Sequence, residues 1–178
     1  MSSRKTTHPF TMVRRAIWGS RRFGGLPDDA ARYLYFYYLT CPHQTAVGCM
    51  VLKEDYALAD LRLTGAEWDA PTLRSKTADI AASGLIETDA ETGEILITRW
   101  WQDNSPTNES WFVGALNQID AIKSQKLRKI AQDSLGECWR AFQSAKVSPS
   151  PNGIRQPEPA PGRADLVATL NRRLGVAT

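Results

Sequence analysis

The chain has 178 residues, of which 42% are apolar and 23% are charged, and its formal net charge is +3. This length fits one domain with extensions or two very small domains, and it suffices to bury a hydrophobic core. The sequence has no apolar run near the ~18 residues of a membrane span, no signal-peptide segment and too few cysteines for a disulfide scaffold. We therefore expect a soluble protein of the cytoplasm, without a membrane partner.

The charges are unevenly distributed along the chain. Residues 1–27 contain six basic residues and no acidic one, whereas residues 28–100 contain six basic and twelve acidic residues. A basic segment of this kind favours a polyanionic partner such as DNA. We predict a disordered basic arm over residues 1–13. The predicted phosphate or minor-groove contacts that follow it are Arg14, Arg15, Arg21 and Arg22; the alternative is a solubilising tail joined to a structural segment.

A first helix is predicted from Pro27-Asp28-Asp29 to about Thr40. Proline suits the first turn, and the two aspartates favour the positive end of the helix dipole. The run from Tyr33 to Leu39 makes this helix apolar on nearly all sides, which is typical of a helix at the centre of a core. Cys41-Pro42 ends it, because proline disfavours helical geometry in the preceding residue.

The elements that follow alternate between short strands and helices. In chain order we predict a strand at 47–52, a helix at 53–63, a third helix from Pro71 to Gly84, and a hairpin of strands 85–89 and 94–101. This is the element order of a winged helix, a helix-turn-helix with a β-hairpin wing. The predicted fold class is therefore mainly α with a small β-hairpin (α+β), with the winged-helix domain over residues 14–104.

Additional helices are predicted after the hairpin. Residues 105–146 form a helical extension, broken near Ser124, that either packs on the winged helix or mediates a homodimer. Residues 147–162 contain five prolines and are predicted to be a linker. Residues 163–178 form a short amphipathic helix that we expect to dock into a groove of a protein partner. Its predicted partner-binding residues are Leu166, Val167, Leu170 and Leu174.

The third helix is the natural DNA reader of such a fold. If Leu73 and Ile80 face the core, the helical period leaves a polar face towards solvent. The predicted phosphate or base contacts on and beside this face are Thr72, Arg74, Ser75 and Lys76. Asp79 shares the face and would repel phosphate, so the alternative is the solvated face of a protein-binding module.

The predicted wing is acidic, and Arg99 is its one candidate DNA-contacting arginine. Four acidic residues lie in the hairpin: Glu87, Asp89, Glu91 and Glu94. We therefore expect the wing to face a protein rather than DNA. The aromatic residues Trp100, Trp101, Trp111 and Phe112 are expected to join the hairpin to the next helix, with stacking on single-stranded bases as the alternative.

The sequence offers little support for catalysis or for metal binding. Gly24-Gly25 lacks the lysine and the spacing of a phosphate-binding loop, and two histidines give no convincing catalytic pairing. Cys41, His43 and Cys49 do not complete the four ligands of a structural zinc site. We predict no catalysis, no metal and no cofactor.

The sequence resembles the winged-helix domain of phage and prophage replication proteins, the replisome organisers or initiators. The resemblance covers about residues 14–125. It is carried by Ile17-Trp18 with Phe23, residues 26–32, residues 34–43, Val47-Gly48 with Leu52, Asp60-Leu61, Gly84-Leu85-Ile86 with Asp89, and residues 95–101 before Asn104 and Pro106. Family members usually carry serine where Pro27 stands, and many have a more basic third helix. The resemblance implies binding to phage origin DNA and recruitment of helicase or a helicase loader.

These observations lead to one main hypothesis and two alternatives. The first is a DNA-binding replication protein of a phage that binds origin duplex DNA through the winged helix and recruits helicase or its loader. The second is a winged-helix transcriptional regulator of phage genes, because both roles use the same module. The third is a protein-interaction module that inhibits or recruits a host machine, which the acidic body and wing favour.

Overall fold

The structure, a computed structural model, describes residues 11–63, 67–147 and 163–175. The predicted arm up to residue 10 and the predicted linker from residue 148 to 162 lie outside the described residues. The described chain is mainly helical, with one small antiparallel sheet, and this confirms the predicted α+β class.

The elements follow one another in nearly the predicted order. They are a 3-10 helix (Arg15–Gly19), α1 (Arg21–Gly24), α2 (Asp29–Thr40), β1 (Cys49–Val51), α3 (Glu54–Arg62), α4 (Ala70–Ala82), β2 (Ile86–Asp89), β3 (Glu94–Ile97), α5 (Trp100–Asp103), α6 (Glu109–Asp120), α7 (Gln125–Val147) and α8 (Arg163–Leu174). Both sheet pairings are antiparallel, and the strand order is β1-β3-β2. This arrangement agrees with a helix-turn-helix and hairpin, while membership of the winged-helix family stays a prediction.

Helix α2 is the central element of the N-terminal half. The Asp28 side chain caps it by accepting from the N–H of Ala31 at 2.9 Å, as its place in the sequence indicates. The hydroxyl groups of Tyr38 and Thr77 lie 2.6 Å apart and join α2 to α4. The Tyr37 hydroxyl donates to Asp60 on α3 at 2.9 Å. Helix α2 therefore positions both helices of the predicted helix-turn-helix.

Strand β3 is shorter than predicted. The sequence predicts a strand to Trp101, but the strand ends at Ile97, and Trp100 and Trp101 begin α5. Arg99 adopts a left-handed conformation with φ 56°, which turns the chain out of the sheet. The turn brings the Trp100 ring against Gly48, where any Cβ would lie 2.5 Å from the indole. Both tryptophans are 5% exposed, so their predicted place in the core is confirmed.

The helical extension packs onto the rest of the chain. Helices α6 and α7 are separated at residues 121–124, close to the predicted break at Ser124. Phe112, Trp139 and Phe142 form an aromatic cluster between them, with ring centroids 4.8–5.6 Å apart. Helix α7 also contacts β2, β3 and α5. The buried apolar side chains of both halves form one continuous core.

The acidic hairpin is attached to the N-terminus of α7. The carboxylate of Glu94, 5% exposed, accepts from the backbone N–H groups of Lys123 at 2.9 Å and Ser124 at 2.7 Å. A hydrogen bond from the Ser124 hydroxyl lowers the pKa of Asp89, and Glu87 pairs with Lys126 at 2.8 Å. Carboxylates of the wing are thus engaged by the chain's own residues, and a protein partner at the wing stays a prediction.

We expect Glu94→Gln to lower the free energy of unfolding by about 2 kcal/mol. Hydrogen bonds to a charged group contribute about 1.5–3 kcal/mol, and the amide would offer one acceptor oxygen to two donors. The measurement is the urea-unfolding midpoint. The control is Glu91→Gln, which removes the same charge from an exposed position of the hairpin and should cost less than about 0.5 kcal/mol. Equal midpoints for the two variants would show that Glu94 does not hold α7.

Candidate nucleic-acid interface

The N-terminal segment, residues 12–24, is fastened across α5. The backbone N–H of Met12 donates to the side chain of Asn104 at 2.9 Å, and the Asn104 amide returns a bond to the Met12 carbonyl at 3.4 Å. Arg14 pairs with Asp103 at 2.5 Å and also donates to the carbonyl of Gln102. The segment then enters the 3-10 helix and α1. Its most basic stretch is therefore held in a fixed place on the surface.

The four predicted arginines of this segment have different surroundings. Arg15 and Arg21 are exposed and have no ion pair or side-chain hydrogen bond among the described residues. Arg14 is tied to α5, and Arg22 is partly buried, donating to the carbonyl of Gly84 at 2.6 Å and to the Thr98 hydroxyl at 3.2 Å. Arg15 and Arg21 are thus the side chains most available to a phosphate.

Arg99 joins this basic region from the end of β3. Its side chain is exposed and has no partner among the described residues. Burial, and then the charge of Arg99, lower the pKa of Arg22, and the two residues line one cavity. We call the five arginines of the N-terminal segment and of the end of β3, namely Arg14, Arg15, Arg21, Arg22 and Arg99, the basic surface.

The polar face of α4 carries much less free charge than the sequence suggests. Arg74 makes a two-pronged pair with Glu54, with distances of 2.7 and 2.9 Å. Lys76 binds Asp28 at 2.5 Å and approaches Asp79 at 3.5 Å. Both predicted cationic contacts of this helix are therefore engaged by carboxylates.

The pKa values of the four paired groups are shifted in the directions that ion pairing predicts. The hydrogen bond to Glu54 raises the pKa of Arg74, and the bond from Arg74 lowers the pKa of Glu54. The hydrogen bond to Asp28 raises the pKa of Lys76, and the bond from Lys76 lowers the pKa of Asp28. All four groups stay charged near neutral pH, so the pairs persist under ordinary conditions.

The remaining predicted contacts of α4 are neutral. Thr72 is half-buried, and its backbone N–H donates to the capping side chain of Asp69 at 2.8 Å. Ser75 is exposed, and its hydroxyl has no hydrogen bond among the described residues. This helix thus offers DNA hydroxyl groups beside acidic side chains, which is a poor electrostatic match for a phosphate backbone.

The structure adds one residue that the sequence analysis did not assign to the interface. Trp18 lies in the 3-10 helix with its side chain 72% exposed, in edge contact with Phe23 at 5.6 Å. In the sequence it stands out as part of the family resemblance, although its position between the arginine pairs was a usable signal. An exposed indole among arginines can stack on a base or wedge into a groove.

The predicted partner-binding face of α8 is used within the chain, which corrects the expectation that it is free to dock elsewhere. Leu170 is fully buried, and Val167 and Leu174 pack against the core, with Leu166 half-buried beside them. The side chain of Asn171 accepts from the Trp139 indole at 2.9 Å. The reason is physical: α6 and α7 leave an apolar groove, and α8 covers it.

The described residues contain no group of three or more His, Cys, Asp or Glu side chains arranged to hold a metal ion. Cys41 and Cys49 are buried free thiols, and burial raises the pKa of Cys49 to about 12. Within the same part of the chain, no helix is both long and apolar enough to cross a bilayer.

We expect Leu170→Ala to lower the free energy of unfolding by about 2–4 kcal/mol, because it leaves a cavity between α8 and the other two helices. The measurement is chemical denaturation followed by tryptophan fluorescence. Arg172→Ala, an exposed change on the same helix, is the control and should cost less than about 0.5 kcal/mol. A Leu170→Ala midpoint as high as the control's would show that α8 is not part of the core in solution.

Comparison of the chain with protein-family models, with curated proteins and with solved structures finds no match. The function is therefore argued from the geometry of the interface and from the sequence.

Proposed function

We propose that this protein binds double-stranded DNA through the basic surface and acts in phage DNA replication in the cytoplasm of a bacterial host. The observation that carries the proposal is the set of exposed guanidinium groups without partners among the described residues: those of Arg15 and Arg21 on the N-terminal segment and that of Arg99 after β3. Phosphate contacts supply most of the affinity of non-specific DNA binding. The replication role rests on the family resemblance of the sequence.

The ion pairs of α4 support DNA binding through the N-terminal segment rather than through α4. A phosphate that replaced Glu54 beside Arg74 would leave the Glu54 carboxylate unpaired next to the DNA backbone. Arg15 and Arg21 have no such carboxylate to displace. We therefore place the main electrostatic contacts on the N-terminal segment, with α4 contributing at most the hydroxyl groups of Thr72 and Ser75.

Replacing Arg15 and Arg21 together by alanine should weaken duplex binding and its salt dependence. Each lost phosphate contact removes about 0.9 from the slope of log K against log salt, so the double variant should have a slope shallower by about 1.8. The measurement is duplex affinity across a salt series by fluorescence anisotropy.

The matched control is Lys123→Ala/Arg172→Ala, which removes the same total charge from two exposed side chains that have no partners among the described residues. Lys123 adjoins Glu94 at the far end of β3 from Arg99. This control should keep the wild-type slope. Equal losses in both double variants would mean that the basic surface is not the contact and that only net charge matters.

Trp18→Ala should lower duplex affinity without changing the salt slope, because the indole carries no charge. The expected loss is about 1 kcal/mol or more, the size of an aromatic contact with a base. Trp111→Ala is the control, since Trp111 is the other partly exposed tryptophan of the described chain. If Trp18→Ala binds like wild type, the exposed indole takes no part in the interface.

A protein-interaction module is the second candidate, and the pairing of Arg74 and Lys76 with carboxylates favours it. That function predicts no salt-sensitive duplex binding even at low ionic strength, together with capture of one protein in fixed stoichiometry. A transcriptional regulator would bind duplex DNA as well. Mapping bound sites on the genome that encodes the chain distinguishes an origin from a promoter.

A further inference from the structure

A cavity of about 230 Å³ lies beneath the N-terminal segment, between this segment, α2 and the chain that leaves β3. Its apolar wall includes Leu39, Ile97 and Trp100. Its polar lining includes Arg22 and Arg99, two residues of the basic surface, and the proposed function assigns no ligand to the space itself. The bonds between Met12 and Asn104 hold the N-terminal segment along one side of it.

Tyr35 supplies the cavity with an unused hydrogen-bonding group. The residue is 7% exposed, and its hydroxyl has no hydrogen bond among the described residues. Every described side-chain nitrogen or oxygen that is sealed from solvent does have a partner. The Tyr35 hydroxyl is therefore open to solvent, and Tyr35 is one of the residues that line the cavity. Its pKa, raised to about 12 by burial, also responds to Arg22 and to Asp103, which line the same space.

The charge of the cavity is positive. Three arginines, Arg14, Arg22 and Arg99, line it together with one acidic residue, Asp103. The carboxylate of Asp103 is already paired with Arg14 at 2.5 Å. Arg22 and Arg99 have no acidic partner among the described residues, although they repel each other. An anion between them would relieve this repulsion.

The backbone conformation of Arg99, a residue that lines the cavity, is energetically unfavourable. Among the described residues Arg99 is the one non-glycine residue with a positive φ, at 56°. Such conformations are strained for residues with a Cβ and cluster at ligand sites. Here the conformation directs the chain so that the side chains of Arg99 and Trp100 line the cavity.

We infer that this cavity binds a phosphate group, with the guanidinium groups of Arg22 and Arg99 and the hydroxyl of Tyr35 as its donors. A phosphate monoester carries nearly two negative charges at neutral pH and three acceptor oxygens, which matches two cations and a third donor. A phosphodiester inside a continuous strand carries one negative charge and two free oxygens, which is a poorer match for these three donors. The ligand is therefore free phosphate or a terminal phosphate, such as that of a nucleotide or a DNA 5′ end.

The first test uses inorganic phosphate and the full chain in isothermal titration calorimetry at low ionic strength. Tyr35→Phe removes only the hydroxyl, and Arg99→Gly removes the guanidinium while accepting the left-handed backbone. Each should raise the Kd for phosphate about tenfold, as expected for a lost hydrogen bond to a charged group. The controls are Tyr33→Phe on the exposed face of α2 and Lys123→Ala, which should change it less than about twofold.

Thermal unfolding of each variant shows whether it is folded, so that a loss of binding can be assigned to the cavity. Two results would overturn the inference: no heat with inorganic phosphate in the wild-type chain, or equal binding by wild type, Tyr35→Phe and Arg99→Gly. The second of these would place the phosphate elsewhere on the surface.

Competition with two otherwise identical oligonucleotides separates the sources of the phosphate. If a 5′-phosphorylated oligonucleotide displaces phosphate and its 5′-hydroxyl counterpart does not, the cavity takes a nucleic-acid end. If neither displaces it, the ligand is a free or nucleotide phosphate, and the inference stands. Arg15→Ala/Arg21→Ala should bind phosphate like wild type, so the failure of this inference and the failure of duplex binding are distinguishable.

Discussion

The carboxylate of Glu94 at the N-terminus of α7 is the contact on which the arrangement of the molecule depends. It joins the first residue of β3 to backbone donors some thirty positions later in the chain, where the helix dipole favours a negative charge. Because this end of α7 is fixed against the sheet, its other end presents Trp139 beside Phe112. The groove that α8 fills follows from that placement, and so does the single continuous core.

Ion pairing elsewhere in the chain explains why the free positive charge is found on the basic surface. Several acidic residues of the body have partners inside the chain: Glu54 pairs with Arg74, Asp28 pairs with Lys76, and Glu87 and Glu94 bind residues at the N-terminal end of α7. These pairs neutralise α4, the helix that a winged helix would present to DNA. The N-terminal segment precedes every acidic residue in the sequence and keeps its positive charge. The field that a polyanion meets is therefore centred on that segment and on Arg99.

Much of the fold could be predicted from residues close together in the sequence. The candidate site could not, because its properties depend on contacts between residues far apart in the sequence. The cap at Asp28, the proline in the first turn of α4 and the break before α7 are visible in short windows of sequence. No window reveals that Arg74 meets a carboxylate twenty residues away. An amphipathic pattern also looks the same whether its apolar face meets another protein or the same chain, which is why the role of Leu170 was mispredicted. The left-handed conformation of Arg99 could not be predicted from the sequence, because arginine rarely adopts it.

The N-terminal segment carries arginines of the proposed DNA contact and also borders the proposed phosphate site. The buried side-chain amide of Asn104 holds this segment in place. Asn104, 9% exposed, holds Met12 by two hydrogen bonds, and the pairing of Arg14 with Asp103 continues the attachment. This fastening sets the position of Arg15 and Trp18 on the outside and forms one side of the phosphate cavity on the inside. A segment already ordered before DNA arrives loses less conformational entropy on binding than a free arm would. The attachment to α5 therefore gives Arg14 and Arg15 a defined position for the proposed contact with DNA, and the same segment forms one wall of the cavity.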